Sequence, residues 1–297
     1  MKKHINIFIL AALLILLTGC SRPAANCHIV ATTGPVYQFT RELCNGTDLT
    51  VSQLITDEVS CLHDYTLRVS QMQAVESAET VILSGAGLEE FMDDILSDAE
   101  TVIDCSSGIN VMSYGEDHDH SHDHDHGHDH HHEHDPHIWL SPENASIMAE
   151  NICRGLCDRY PAQSATFRAN LEKLLARLDA LQVYGEETLS SLSCRELITF
   201  HDGFAYFAHS FDLHILEAVE EESGSEASAK ELKNLIHMVR EHQLPAIFTE
   251  VNGSVSAAQV ISRETGAAVF SLDMAMASDD YFRSMYHNID TVKEALE

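Results

Sequence analysis

Hydrophobic and polar positions along this chain follow two alternating periods. Short runs rich in β-branched and aliphatic residues, at 28–32, 49–55, 80–83 and 101–103, are separated by longer stretches whose apolar residues recur at helical spacing. The first kind of run fits strands and the second fits amphipathic helices. Their alternation predicts βαβ units around a parallel sheet. The pattern returns later, with strands expected at 197–200, 214–217, 246–249 and 268–272 and helices at 229–242, 255–265 and 280–296.

Between these halves the pattern is helical. Ser141, Pro142 and Glu143 combine a capping hydroxyl with a proline at the first helical position, opening a helix that continues to about residue 160. A second helix over 162–189 carries Phe167, Leu171, Leu174, Leu175, Leu178 and Leu181 at three-to-four spacing without an interior proline. At 1.5 Å per residue it is roughly 40 Å long, enough to run the length of the molecule. The expected fold class is therefore α/β. Two lobes, over 20–160 and 191–297, each hold a parallel sheet flanked by helices, and a long linking helix over 161–190 joins them. Ligands of parallel sheets sit beyond the carboxyl ends of the strands, so the expected site is the cleft between the lobes.

The amino terminus sets the compartment. Lys2 and Lys3 precede an apolar stretch over 5–17 that ends in Leu17-Thr18-Gly19-Cys20, a secretory signal layout over 1–19. The apolar core is short of the roughly 20 residues of a comfortable membrane span. Its last four residues resemble the lipobox of bacterial lipoproteins, which makes Cys20 the expected lipidation site and the protein an extracytoplasmic one anchored to the cell membrane. The 297 residues, 44% of them hydrophobic, suffice for a large core, and a formal net charge of −30 excludes nucleic acid as a partner. Of eight cysteines, lipidation of Cys20 leaves Cys27, Cys44, Cys61, Cys105, Cys153, Cys157 and Cys194, an odd number, so at least one thiol stays free or pairs between chains.

The histidine-rich loop at 117–134 is the most conspicuous chemistry in the chain. Near-alternating imidazoles and carboxylates capture zinc, copper or nickel, but the run has no period that would fix a geometry, and its composition predicts disorder. More informative are three single histidines: His63 in C-L-H-D-Y-T-L, His137 in D-P-H-I-W-L and His201 in T-F-H-D-G-F-A-Y-F. Asp273, in V-F-S-L-D-M, ends an apolar run, and three imidazoles with one carboxylate form a closed set for zinc. His201 and Asp273 each follow a predicted strand of the second lobe, where His63 and His137 would face them. A lone histidine is more often a hydrogen-bonded structural residue than a ligand, and His209, His214, His237, His242 and His287 are read in that way. Cys61 is either an extra ligand or a small buried hydrophobe.

Two of these motifs, D-P-H-I-W-L-S-P at 135–142 and F-H-D-G-F-A-Y-F at 200–207, together with the histidine-rich insertion directly before the first, carry a family resemblance. The chain resembles the ZnuA-type, cluster A-I substrate-binding lipoproteins of zinc and manganese ABC importers over nearly all of its mature length. The resemblance implies His63, His137, His201 and Asp273 as ligands of a transported Zn2+, with Mn2+ disfavoured by an imidazole rather than a carboxylate at position 201. It also implies an importer permease and its ATPase as partners, a monomeric binding protein, and no catalysis. Trp139, Tyr206 and Phe207 are expected beside the site, and Asp135 and Asp202 next to the ligands.

Two stretches depart from the family pattern. Cys61-Leu62 and Tyr65-Thr66-Leu67 flank His63 where Asp-Pro and Tyr-Glu-Pro are usual, and Asp273-Met274-Ala275-Met276 replaces Asp-Pro-Leu-Gly, which leaves Glu250 or a water as rivals for the fourth position. Alternative functions are manganese binding or surface adhesion on the same scaffold, and zinc-dependent hydrolysis. Against hydrolysis, the chain has neither an H-E-x-x-H pair nor a G-x-S-x-G elbow.

Overall fold

A computed structural model describes residues 28–57, 62, 65–97, 99–113, 134–219, 227–277 and 280–297. The signal layout, Cys20, Cys27, Cys61, His63 and the histidine run as far as Glu133 lie outside the described residues.

Two four-stranded parallel sheets organise the chain. The first holds β1 (Ile29–Ala31), β2 (Val51–Gln53), β3 (Thr80–Leu83) and β4 (Val102–Asp104) in the order β2-β1-β3-β4. The second holds β5 (Glu196–Thr199), β6 (His214–Ala218), β7 (Ala246–Glu250) and β8 (Ala268–Leu272) in the equivalent order β6-β5-β7-β8. β1, β3 and β7 are buried along their whole length, as their near-continuous apolar runs require. In both orders the crossover direction reverses between the two central strands, β1 and β3 in one sheet and β5 and β7 in the other. Crevices open at the carboxyl ends of such pairs.

Helices cover the sheets. In the first lobe these are α1 (Gly34–Leu43), α2 (Val69–Ser77), a single turn α3 (Asp93–Leu96) and α4 (Pro142–Arg159). The hydroxyl of Ser141 accepts the Asn144 backbone N–H at 3.3 Å and Pro142 fills the first turn of α4, so the sequence signal for this start is the one the backbone uses. α5 (Ser164–Leu189) is the long linking helix, of 26 residues, preceded by a 3-10 turn at Pro161–Gln163. The second lobe adds α6 (Ala205–Ser210), α7 (Ala229–Glu241), α8 (Ser256–Thr265) and α9 (Tyr281–Leu296). α7 opens with a reciprocal capping box between Ser228 and Glu231, and α8 stops at Gly266, whose φ of 85° suits glycine. Among the described residues no helix is long and apolar enough to cross a membrane.

α5 packs on α1, α4 and α9, so the linking helix is roofed from both lobes. One apolar cluster runs from the first sheet through α5 to α9, and a smaller one around Ile198, Leu235, Val239, Ile247 and Ile261 lies under α7 and α8. The larger core crosses the lobe boundary.

Candidate metal centre

His137 lies just before α4 and His201 two residues beyond β5, and both are buried. Their Nε2 atoms face each other at 3.5 Å, with the rings nearly perpendicular and their centroids 5.2 Å apart. Behind His137, Asp135 Oδ1 stands 2.7 Å from Nδ1 and also accepts the His137 backbone N–H at 2.9 Å. Behind His201, Glu250 Oε1 at the end of β7 is 3.2 Å from Nδ1. An ionised carboxylate only accepts, so Asp135 selects the His137 tautomer protonated on Nδ1 and leaves its lone pair on Nε2, while Glu250 lies within ion-pair distance of His201 Nδ1. Two ring nitrogens aimed at one point are held together best by a proton or cation between them.

The separation fits zinc. Zn–N bonds of about 2.0–2.1 Å at the tetrahedral angle place two ligand nitrogens roughly 3.3–3.4 Å apart. The pair is also kept close by the absence of a side chain at Gly203, where a Cβ would stand 2.7 Å from His201 Cδ2 and 2.9 Å from His137 Nδ1. Apolar groups close the surroundings. The buried Trp139 ring meets His137 edge-on at 5.4 Å, and Met274 approaches Gly203 from the second lobe.

Asp273 follows β8, and its carboxylate is held at both oxygens. Oδ1 accepts the Ala275 N–H at 2.8 Å and Oδ2 accepts the Ser284 hydroxyl at 2.6 Å, while Asn288 brackets its backbone at 2.7 and 2.8 Å. Each oxygen retains a lone pair. Among the described residues no three metal-donor side chains are gathered within reach of one ion. The structure thus brings His137 and His201 together, sets Glu250 behind His201, and holds Asp273 in its own hydrogen-bonded seat; His63 lies outside the described residues.

Next to this pair, the described residues on either side of 114–133 meet. Ser113 and His134 form an antiparallel bridge, and Asp135 N–H donates to the Met112 carbonyl at 2.8 Å. The Tyr206 hydroxyl accepts from Met112 N–H and donates to the Asp135 carbonyl, at 2.8 and 2.9 Å. Burial pushes this phenol up to about 12, so it stays a donor at neutral pH.

The family model for ZnuA, the periplasmic component A of zinc-uptake complexes, matches residues 29–295. The chain belongs to the ZnuA family. Members are solute-binding proteins and not enzymes. A Treponema pallidum protein provisionally named for metal binding is 27% identical over 300 residues, 96% of this chain and 94% of its own length. The zinc-binding protein AdcA of Streptococcus pyogenes is 28% identical over 89% of this chain, which spans only 55% of AdcA. A crystal structure of ZnuA superposes with a TM-score of 0.76 at 27% identity, covering 91% of this chain and all of the other.

One buried group of this ZnuA-family chain escaped the sequence reading. Glu89 lies at the carboxyl ends of β1 and β3, the first-lobe counterpart of the β5–β7 crevice. It accepts from the Thr32 hydroxyl at 2.5 Å, from Ser84 N–H at 2.8 Å and from Gly85 N–H at 3.0 Å. Burial pushes its carboxyl up to about 7 against these three donors. Nothing in the flanking sequence marks it, since G-L-E-E reads as a solvated helix start. Ser284 and Asn288 were legible in principle, as two polar residues four apart on the buried face of α9.

Proposed function

We propose that this chain captures Zn2+ outside the cytoplasm and surrenders it to an ABC-type importer, with the cargo held by His63, His137, His201 and Asp273. The observation that carries the reading is the opposed Nε2 pair of His137 and His201 at 3.5 Å, each imidazole backed by a carboxylate. Nitrogen donors of this kind favour zinc over the harder manganese. Membership in the ZnuA family and the zinc-binding relatives support the same cargo. Glu250 orients and polarises His201 rather than serving as the fourth ligand, and Asp135 does the same for His137. In this reading Cys20 carries a lipid, the mature chain works as a monomer, and the lobes divide at the boundaries expected from the sequence, 20–160 and 191–297 about the 161–190 helix.

Competitive titration calorimetry of zinc against manganese tests the assignment on wild type, on a chain lacking residues 117–134, and on His137→Ala with His201→Ala. One tight zinc site that survives the deletion and disappears with the two histidines is the expected result. Tight binding that vanishes with the histidine-rich loop overturns it.

A further inference from the structure

The segment that carries His137 is tied by two buried hydrogen bonds to the loop that carries Asp273 and to the first residue of α9 beyond that loop. Trp139 Nε1–H donates to the Met274 carbonyl at 2.8 Å, one residue past Asp273, and the Tyr281 hydroxyl donates back to the Trp139 carbonyl at 2.8 Å. Trp139 and Tyr281 are both fully enclosed. Two further bonds fix this loop and the start of α9 to the first lobe: Gly34 N–H to the Met276 carbonyl at 2.7 Å, and Tyr281 N–H to Gln38 Oε1 at 2.6 Å. Within this loop Ala275 has a φ of 58°, a left-handed conformation that an alanine keeps only where its surroundings enforce it. Met274, Ala275 and Met276 pack in the main apolar core with Trp139, not in the smaller one under α7 and α8.

From this arrangement we infer that Trp139 is a positioning residue for the metal site. With Tyr281 it clasps the Asp273 loop to the His137 segment, so these two ligands keep one separation whatever the rest of the second sheet does. The inference rests on the ligand set proposed above. Without the clasp, the Asp273 carboxylate retains its seat on Ser284 and Asn288, but that seat is no longer registered to His137. The cargo then loses a carboxylate kept at a fixed separation from His137, and it leaves faster.

The test is zinc release from the loaded chain into excess chelator, followed by stopped flow. Trp139→Phe deletes the indole donor, and Tyr281→Phe deletes only the phenol hydroxyl, which keeps the test available if the tryptophan variant folds poorly. Loss of a buried hydrogen bond to a preorganised ligand predicts release roughly tenfold faster in either variant, with the rate of zinc capture within about twofold of wild type. The readout that separates positioning from general loosening is the same substitution in an Asp273→Asn background, where the clasp has no charged ligand to position. There Trp139→Phe and Tyr281→Phe should change release by less than about twofold. Unchanged release in the wild-type background, or an equal acceleration in both backgrounds, overturns the clasp while leaving the ligand set intact. If Asp273→Asn by itself releases zinc no faster than wild type, the ligand assignment fails and the clasp fails with it.

Discussion

Glu250 stands 3.2 Å from the rear nitrogen of His201, while the front nitrogen of the same ring points at His137. A carboxylate in this place fixes the tautomer and strengthens the imidazole as a donor. Replacing it with glutamine keeps the shape and removes the charge. Zinc affinity of Glu250→Gln is expected to fall about tenfold to a hundredfold, with thermal stability of the apo chain little changed. Chelator competition at fixed pH measures it; an affinity equal to wild type would remove Glu250 from the site.

Gly203 is the closest test of the opposed pair itself. A methyl group there meets His201 Cδ2 at 2.7 Å, Met274 Cε at 2.7 Å and His137 Nδ1 at 2.9 Å, so Gly203→Ala must drive the two imidazoles apart. Zinc binding is expected to weaken at least roughly tenfold, since ligand geometry at zinc is narrow. An unaffected zinc titration would mean that the two histidines do not bind one ion.

Trp139 is the single tryptophan of the chain, and its ring contacts His137 at 5.4 Å. Placing a dication on that imidazole alters the field at the indole. Tryptophan emission should therefore change in a saturable way with zinc, and the change should be absent in His137→Ala. Emission indifferent to zinc at saturating metal would contradict the site.

Glu89 predicts a pH dependence of stability. Its folded value of about 7 lies above the ordinary 4.5, so the folded chain holds a proton that the unfolded chain gives up, and this stabilisation is full below pH 4.5 and lost as pH rises through 7. Wild type should lose about 3 kcal/mol relative to Glu89→Gln across that window, at 1.36 kcal/mol per unit. Urea unfolding of both chains at pH 5 and pH 8 checks the difference. Parallel pH curves would show that Glu89 does not titrate in the folded chain.

Much of the fold was legible because its elements are local. Period and capping located α4 through Ser141 and Pro142, the long helix through its leucine spacing, and seven of the eight described strands to within one residue at either end. β2, read as 49–55, is regular only over Val51–Gln53, although Thr50, Leu54 and Ile55 on its flanks still hydrogen-bond to Ile29, Ala31 and Thr32. α6 was not anticipated: six residues are too few to show a helical period, and the helix exists because Tyr206 and Phe207 are buried on one side of it. At the site, the motifs marked His137 and His201. They did not reveal that Glu250 would stand behind a histidine instead of beside it, since that depends on the pairing of β7 next to β5, a relation between residues far apart in the chain. Glu89 was invisible for the same reason, its donors coming from the residues just beyond two different strands.

The bridge between Ser113 and His134, sealed by Tyr206, has an architectural consequence for the histidine-rich insertion. Once two ends are pinned, closing a longer chain between them costs only about 0.6 kcal/mol per doubling of length. A change in the length of the chain between Ser113 and His134 therefore costs the fold little, so long as the neck beside the imidazole pair stays closed.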